Sequence, residues 1–158
     1  MYATRPNRTV LSNGTNLGEL IALGADAWVF NNMELTQADF AMICKVLPLV
    51  KITSLLLGNN HITDLSPLAD ALHYNITVKR VALYSNKITH FPSTLVDALG
   101  YSKTLMKLDL DDNDIDIGNL ACLETDNMLT ICANMASGIE KNGLNDRWER
   151  AEQPVFIT

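Results

Sequence analysis

The amino-acid sequence predicts an α/β fold: about four strand–helix units stacked into a short arc of parallel strands, with a helical cap at each end. Three observations lead there. The pattern L-x-x-L-x-L-x-x-N-x-I recurs along the chain, most clearly at Ile52, Leu55, Leu57, Asn60, Ile62, at Val78, Val81, Leu83, Asn86, Ile88, and at Leu105, Leu108, Leu110, Asn113, Ile115. A degraded first copy is Ala25, Trp28, Phe30, Met33, Leu35, and the steps from Met33 to Asn60, Asn86 and Asn113 are 27, 26 and 27 residues. Within each copy the apolar spacing passes from two to helical. A fixed period in this range marks a stacked repeat, in which each unit has one apolar face that only its neighbour can cover.

The elements follow in order. Residues 1–24 form an N-terminal cap: an irregular polar stretch, then a short helix capped by Asn16 to Glu19, carrying Leu17, Leu20 and Ile21 and ending near Gly24. Strands are expected near 26–30, 53–57, 79–83 and 106–110, where alternating residues such as Leu55 and Leu57 give one buried face. The Asn after each strand sits in a turn, where its amide can bond backbone groups that would otherwise be buried unpaired. Thr36-Gln37-Ala38-Asp39 is a capping-box start for a helix with Phe40, Ile43, Cys44 and Leu47 on one face. Ser66-Pro67 is read as N-cap and first helical position before Leu68, Ala71 and Leu72. Pro92 opens the next helix, with Leu95, Ala98 and Leu99, and Gly100 is its expected stop. The repeats occupy residues 25–123. A C-terminal capping helix is expected within 124–143, from the spacing of Leu129, Cys132, Ala133, Ala136 and Ile139 over 126–141. Residues 144–158 form a tail with Trp148 and an apolar Pro154-Val155-Phe156-Ile157 end.

The repeated pattern resembles the ribonuclease-inhibitor-like class of leucine-rich repeats over roughly residues 25–123. The Ile62-Thr63-Asp64 step is similar to the related cysteine-containing type found in F-box proteins, with Asn60 where that type has Cys. Met33 departs from the pattern in the first unit. The resemblance implies a solenoid whose concave sheet face binds a protein partner.

Composition narrows the partners. The formal charge is −6 and aromatics make up 6% of residues. An acidic chain argues against nucleic acid, because phosphate binding needs a basic surface. No run of about 18 apolar residues predicts a membrane span. The first residues lack the apolar core of a secretory signal, so a cytoplasmic location is expected, with an organellar one as the alternative suggested by Arg5 and Arg8. Cys44, Cys122 and Cys132 sit among apolar neighbours and are read as small core residues. The N-x-T sequons at Asn7, Asn13 and Asn75 are near chance in a chain rich in Asn and Thr.

Strand residues pointing away from the core form three columns on the concave face. They are Ala27, Ser54, Arg80, Lys107; then Val29, Leu56, Ala82, Asp109; then Asn31, Gly58, Tyr84, Asp111. The candidate protein-binding residues are Val29, Asn31, Ser54, Leu56, Arg80, Ala82, Tyr84, Lys107, Asp109 and Asp111, of which Tyr84 and Arg80 are of types enriched at binding hot spots. Asp109 to Asp116 holds five carboxylates in eight residues, but the positions an EF-hand needs for Gly and Glu hold other residues, so an acidic rim is expected rather than a metal site. His61, His73 and His90 are too dispersed for a metal set. Nucleotide-binding glycine motifs are absent from the sequence. Residues 45–107 carry seven bases against three acids, and residues 109–126 carry seven acids and no base.

These readings point to a non-catalytic protein–protein interaction module or scaffold inside the cell. It is expected to have no cofactor, metal, small-molecule substrate, nucleic acid or membrane insertion. The second reading is a structural subunit of a large intracellular assembly, axonemal, cytoskeletal or organellar, docking through its edges and tail.

Overall fold

A computed structural model describes residues 10–115 and 130–132. The chain order is α1 (Leu17–Leu23), β1 (Ala27–Val29), α2 (Gln37–Val46), a one-turn 3-10 helix (Leu47–Leu49), β2 (Ser54–Leu56), α3 (Ser66–Tyr74), β3 (Arg80–Ala82), α4 (Ser93–Tyr101), β4 (Lys107–Asp109) and β5 (Thr130–Cys132). The five strands make one sheet in the order β1-β2-β3-β4-β5, every pair parallel. The fold is α/β, and β1 to β4 fall inside the four expected windows.

The register aligns the repeat pattern. Trp28, Leu55, Val81 and Leu108 stand opposite one another at the strand centres. All four are buried, in one cluster with Phe40, Ile43, Leu68, Leu72, Leu95 and Leu99 from the helices. The helices therefore cover one face of the sheet, and the residues flanking each strand centre point to the other.

Helix starts and stops are only partly as expected. Asn16 accepts from the Gly18 N–H, and Gly24 ends α1 at φ 64°, a left-handed turn that glycine adopts without a Cβ penalty. Thr36 and Asp39 form the expected capping box. Two helix starts and one stop are corrected. Helix α3 begins at Ser66 itself with Leu65 as N-cap, because Asp64 Oδ1 already accepts from the Ser66 N–H and hydroxyl at 2.9 and 2.7 Å. Pro92 is the N-cap of α4 rather than its first residue, and the helix runs through Gly100 to Tyr101.

The expected helix over 126–141 is also corrected, at Thr130–Cys132, which forms β5 with Ile131 opposite Leu108. Thr130 and Ile131 are β-branched, which favours a strand. The step from Leu108 to Ile131 is 23 residues, so this strand falls out of step with the earlier units. The rest of the proposed 124–143 cap, the 144–158 tail, residues 1–9 and the span 116–123, with Cys122, lie outside the described residues.

The turns hold a ladder of buried asparagines. Asn60 Nδ2 donates to the carbonyls of Leu57 (2.9 Å) and Gly58 (3.2 Å) in its own unit and of Phe30 (2.9 Å) in the unit before. Asn60 Oδ1 accepts from Leu35 N–H (2.9 Å) and Met33 N–H (3.2 Å), again in the preceding unit. Asn86 repeats this with the Leu57 carbonyl and Ile62 N–H, and Asn113 with the Leu83 carbonyl and Ile88 N–H. Each Asn therefore satisfies the backbone of the unit ahead of it. Among the described residues α1, not a strand-and-turn unit, precedes β1, so Met33 occupies the same position there without orphaning a described neighbour.

The residue before this position is left-handed in all four turns: Asn32, Asn59, Ser85 and Asp112, with φ between 51° and 59°. Asn and Asp tolerate this region better than most residues. Ser85 is held by a 2.7 Å bond from its hydroxyl to Asp112 Oδ2. The first turn has an extra left-handed residue, Glu34 at φ 53°. It lies between Met33 and Leu35, whose N–H groups both reach the one Asn60 oxygen.

Candidate functional site

The open face of the sheet is the face that none of the described helices covers. Its columns are as expected from the sequence: Ala27, Ser54, Arg80 and Lys107 are register partners, as are Val29, Leu56, Ala82 and Asp109. Backbone bonds continue the alignment into the third column, with Asn32 N–H to Gly58 O (3.0 Å), Asn59 N–H to Tyr84 O (2.9 Å) and Ser85 N–H to Asp111 O (2.8 Å).

Exposure divides this face in two. On the first strands Val29 is 43% exposed, and Ser54, Leu56 and Asn31 are half-buried. Asn31 is partly engaged, its Oδ1 accepting from the Gly58 N–H at 2.7 Å. Tyr84 is half-buried, and its ring lies over Gly58, where any Cβ would collide with it. Gly58 is thus the space that lets the third unit's aromatic ring reach across the second unit.

The later strands depart from a solvent-facing site. Ala82 is buried, and Lys107 and Asp109 are each 7% exposed. Arg80 and Asp111 are half-buried. Alternation along a strand specifies which way a side chain points, and here pointing away from the helices does not amount to solvent exposure. The expected solvated acidic rim is corrected at Asp109 and holds for Asp112 and Asp114, which are exposed.

Arg80, Lys107, Asp109 and Asp111 form a charge group of two cations and two anions. Burial pushes the Asp109 carboxyl above its usual 3.8, the Asp111 charge adds to this, and the Asp111 N–H, Lys107 and Arg80 oppose it. A carboxylate with a raised folded pKa binds its proton more tightly when folded. It therefore weakens the fold at pH above both its values and stops doing so as pH falls through them. Asp109→Asn, which can keep the 3.1 Å bond from the Asp111 N–H, should leave the melting temperature equal or higher at pH 7, with the difference vanishing near pH 4. A lower melting temperature at pH 7 would mean that attraction to the cations outweighs burial.

Other candidates resolve simply. Cys44 is free and buried, and burial first, then Asp70, pushes its thiol far up, as for a small core residue. His61 and His90 are exposed on separate turns, while His73 packs edge-on against Tyr74 (4.9 Å) and Tyr101 (6.3 Å). No group of three or more potential metal ligands occurs among the described residues, and no helix among them is long and apolar enough to cross a membrane. Two clefts lie off the open face, about 430 Å³ beside Lys45, Pro48 and Tyr74, and about 440 Å³ beside Ile21, Leu49 and Lys51.

Sequence reasoning missed Asn75, noticed only as a sequon. It is buried at the end of α3, donating to Leu47 O (2.8 Å) and accepting from the N–H groups of Thr77 (2.9 Å) and Val78 (2.8 Å). Ser102, one unit later, accepts from Leu105 N–H in the same way at 3.2 Å. The 27-residue step between Asn75 and Ser102 was the available signal.

No protein-family model matches the chain, and no curated protein matches it significantly.

Proposed function

We propose that the chain is a leucine-rich repeat solenoid acting as a non-catalytic, intracellular protein-binding module, with its site on the early half of the open sheet face. The observation that carries this reading is the placement of the Tyr84 ring over Gly58. It sets an aromatic surface beside Leu56, with Val29 one strand further and Ser54 and Asn31 at the borders. An apolar centre with one aromatic anchor and a polar rim is the anatomy of a protein interface. Arg80, Lys107 and Asp109 are left out of this site, since Lys107 and Asp109 are buried and the three belong to the charge group of the later strands.

The partner is to be identified by proximity labelling and its affinity measured against variants of the full chain. Tyr84→Ala is expected to cost more than about 1 kcal/mol of binding free energy. Gly58→Ala should weaken binding in the same direction, because its methyl displaces the ring. Phe156→Ala, in the tail outside the described residues, should bind normally. Retention of the partner by Tyr84→Ala with its loss in Phe156→Ala would replace this reading with that of an assembly subunit docking through its tail.

A further inference from the structure

Parallel strands sort the chain's connections. Among the described residues, each helix-to-strand junction falls on one edge of the sheet and each strand-to-helix turn on the other. The backbone confirms the alignment of the junctions: Thr53 N–H bonds Asp26 O, Lys79 N–H bonds Thr53 O, and Met106 N–H bonds Lys79 O, at 2.7, 2.8 and 2.8 Å.

The sorting separates charge. Junction residues 21–26, 45–53, 73–79 and 100–106 contain Lys45, Lys51, Lys79 and Lys103 against the single acid Asp26, all exposed. Turn residues 31–39, 58–66, 84–93 and 111–115 contain Glu34, Asp39, Asp64, Asp111, Asp112 and Asp114 against the single base Lys87. The described part of this acidic protein therefore has one basic edge.

The same edge carries its most exposed apolar side chains. Leu23, Leu49, Tyr74, Ile76 and Tyr101 are between 70% and 80% exposed, and each follows or ends a helix at a junction. They form a row. Asn75 ties its loop to Leu47 O, which brings Ile76 to the junction holding Leu49. His73 links Tyr74 to Tyr101 through edge-on ring contacts.

Scattered exposed apolar residues are ordinary. Protruding ones at all four junctions, interleaved with four lysines, are not; the acids beside them are Asp26 and Asp70, the latter lining a cleft with Lys45 and Tyr74. Protrusion also bears on the occupant. A protein partner would have to be shaped to each projecting side chain, whereas a lipid headgroup layer yields around them. Leu, Ile and Tyr partition into that layer while lysines meet lipid phosphates. We propose that the helix-to-strand edge docks on an anionic lipid bilayer surface. No membrane-crossing helix is needed, and the open sheet face is left free for a partner. The residues concerned are distinct from Val29, Leu56 and Tyr84, so either surface can fail without the other.

The test is co-sedimentation of the full chain with vesicles of phosphatidylcholine alone and of phosphatidylcholine with phosphatidylserine. Binding is expected only to the anionic vesicles and should fall with salt. Each lysine near such a surface is worth roughly fivefold in partitioning, so Lys51→Glu with Lys79→Glu should weaken binding by at least about 25-fold. Leu49→Ser with Ile76→Ser should weaken it as well. Lys87→Glu on the opposite edge and Tyr84→Ala should bind as wild type, and circular dichroism checks that every variant is folded. Failure of the wild type to sediment with anionic vesicles would overturn the proposal, as would equal loss in Lys87→Glu. Vesicles ignored while an acidic protein is held through the same lysines would overturn it in favour of protein docking.

Discussion

Asn60→Ala is expected to lower the unfolding free energy by roughly 2–4 kcal/mol. The side chain is buried, donates to three carbonyls and accepts from two N–H groups. Alanine leaves the buried Leu35 N–H without its oxygen acceptor and deprives the Phe30, Leu57 and Gly58 carbonyls of a donor. A stranded buried group costs about 1–3 kcal/mol, far more than the net gain of an ordinary hydrogen bond. Asn86→Ala removes one fewer contact and should cost about 1–3 kcal/mol. Chemical denaturation read by circular dichroism measures both. An unchanged midpoint for Asn60→Ala would mean that water or a shifted backbone takes over the role of the amide.

Asp39→Ala should be comparably damaging, by about 2–4 kcal/mol at pH 7, since it removes a helix cap and a buried, charge-assisted network. Asp39 accepts from the Ser12 N–H (2.7 Å) and hydroxyl, and from the Thr36 N–H (2.9 Å) and hydroxyl (3.0 Å). It thereby ties the N-terminal segment to the first turn of α2. Burial alone pushes this carboxyl up, but the bonds from Ser12 and Thr36 outweigh it and hold the pKa below 3.8. A group with a lowered folded pKa contributes stability that is complete above its unfolded value, near pH 4, and is lost as pH falls through the folded value. The gap between wild type and Asp39→Ala should therefore narrow on acidification below pH 4. A gap that stays constant down to pH 2 would assign the loss to packing rather than to the charge.

These two residues were legible in the sequence to different depths. The Asn ladder and the strand register followed from period alone, because a stacked repeat must place equivalent residues side by side. The capping box at Thr36 followed from local spacing. The long reach of Asp39 to Ser12 did not, since nothing local links positions 27 residues apart outside the repeat. Ser66 and Pro92 were each misplaced by one position, because Asp64 and the proline's own extended backbone decide where those helices start. The residues of strand β5 read as helix in the sequence because the apolar positions around them fit both spacings once the period lapses. The charges along the chain suggested a basic middle and an acidic shoulder. Only topology showed the sharper division, between the two edges of the sheet. The burial of Lys107 and Asp109 had no sequence signal, since alternation is silent on what lies over a face.

The asparagine ladder also gives the stack a direction. Support passes from each unit to the one before it: Asn113 serves the third unit, Asn86 the second and Asn60 the first. Trimming the chain from its N-terminal side would strip Asn60 of a client and leave no client without its Asn. Trimming from the other side, past Asn113, would leave the Leu83 carbonyl and the Ile88 N–H without the amide that serves both. In this one respect the two ends are unequal. Met33 in the first described turn serves no described unit, but every later unit that leans on a successor must find an amide there.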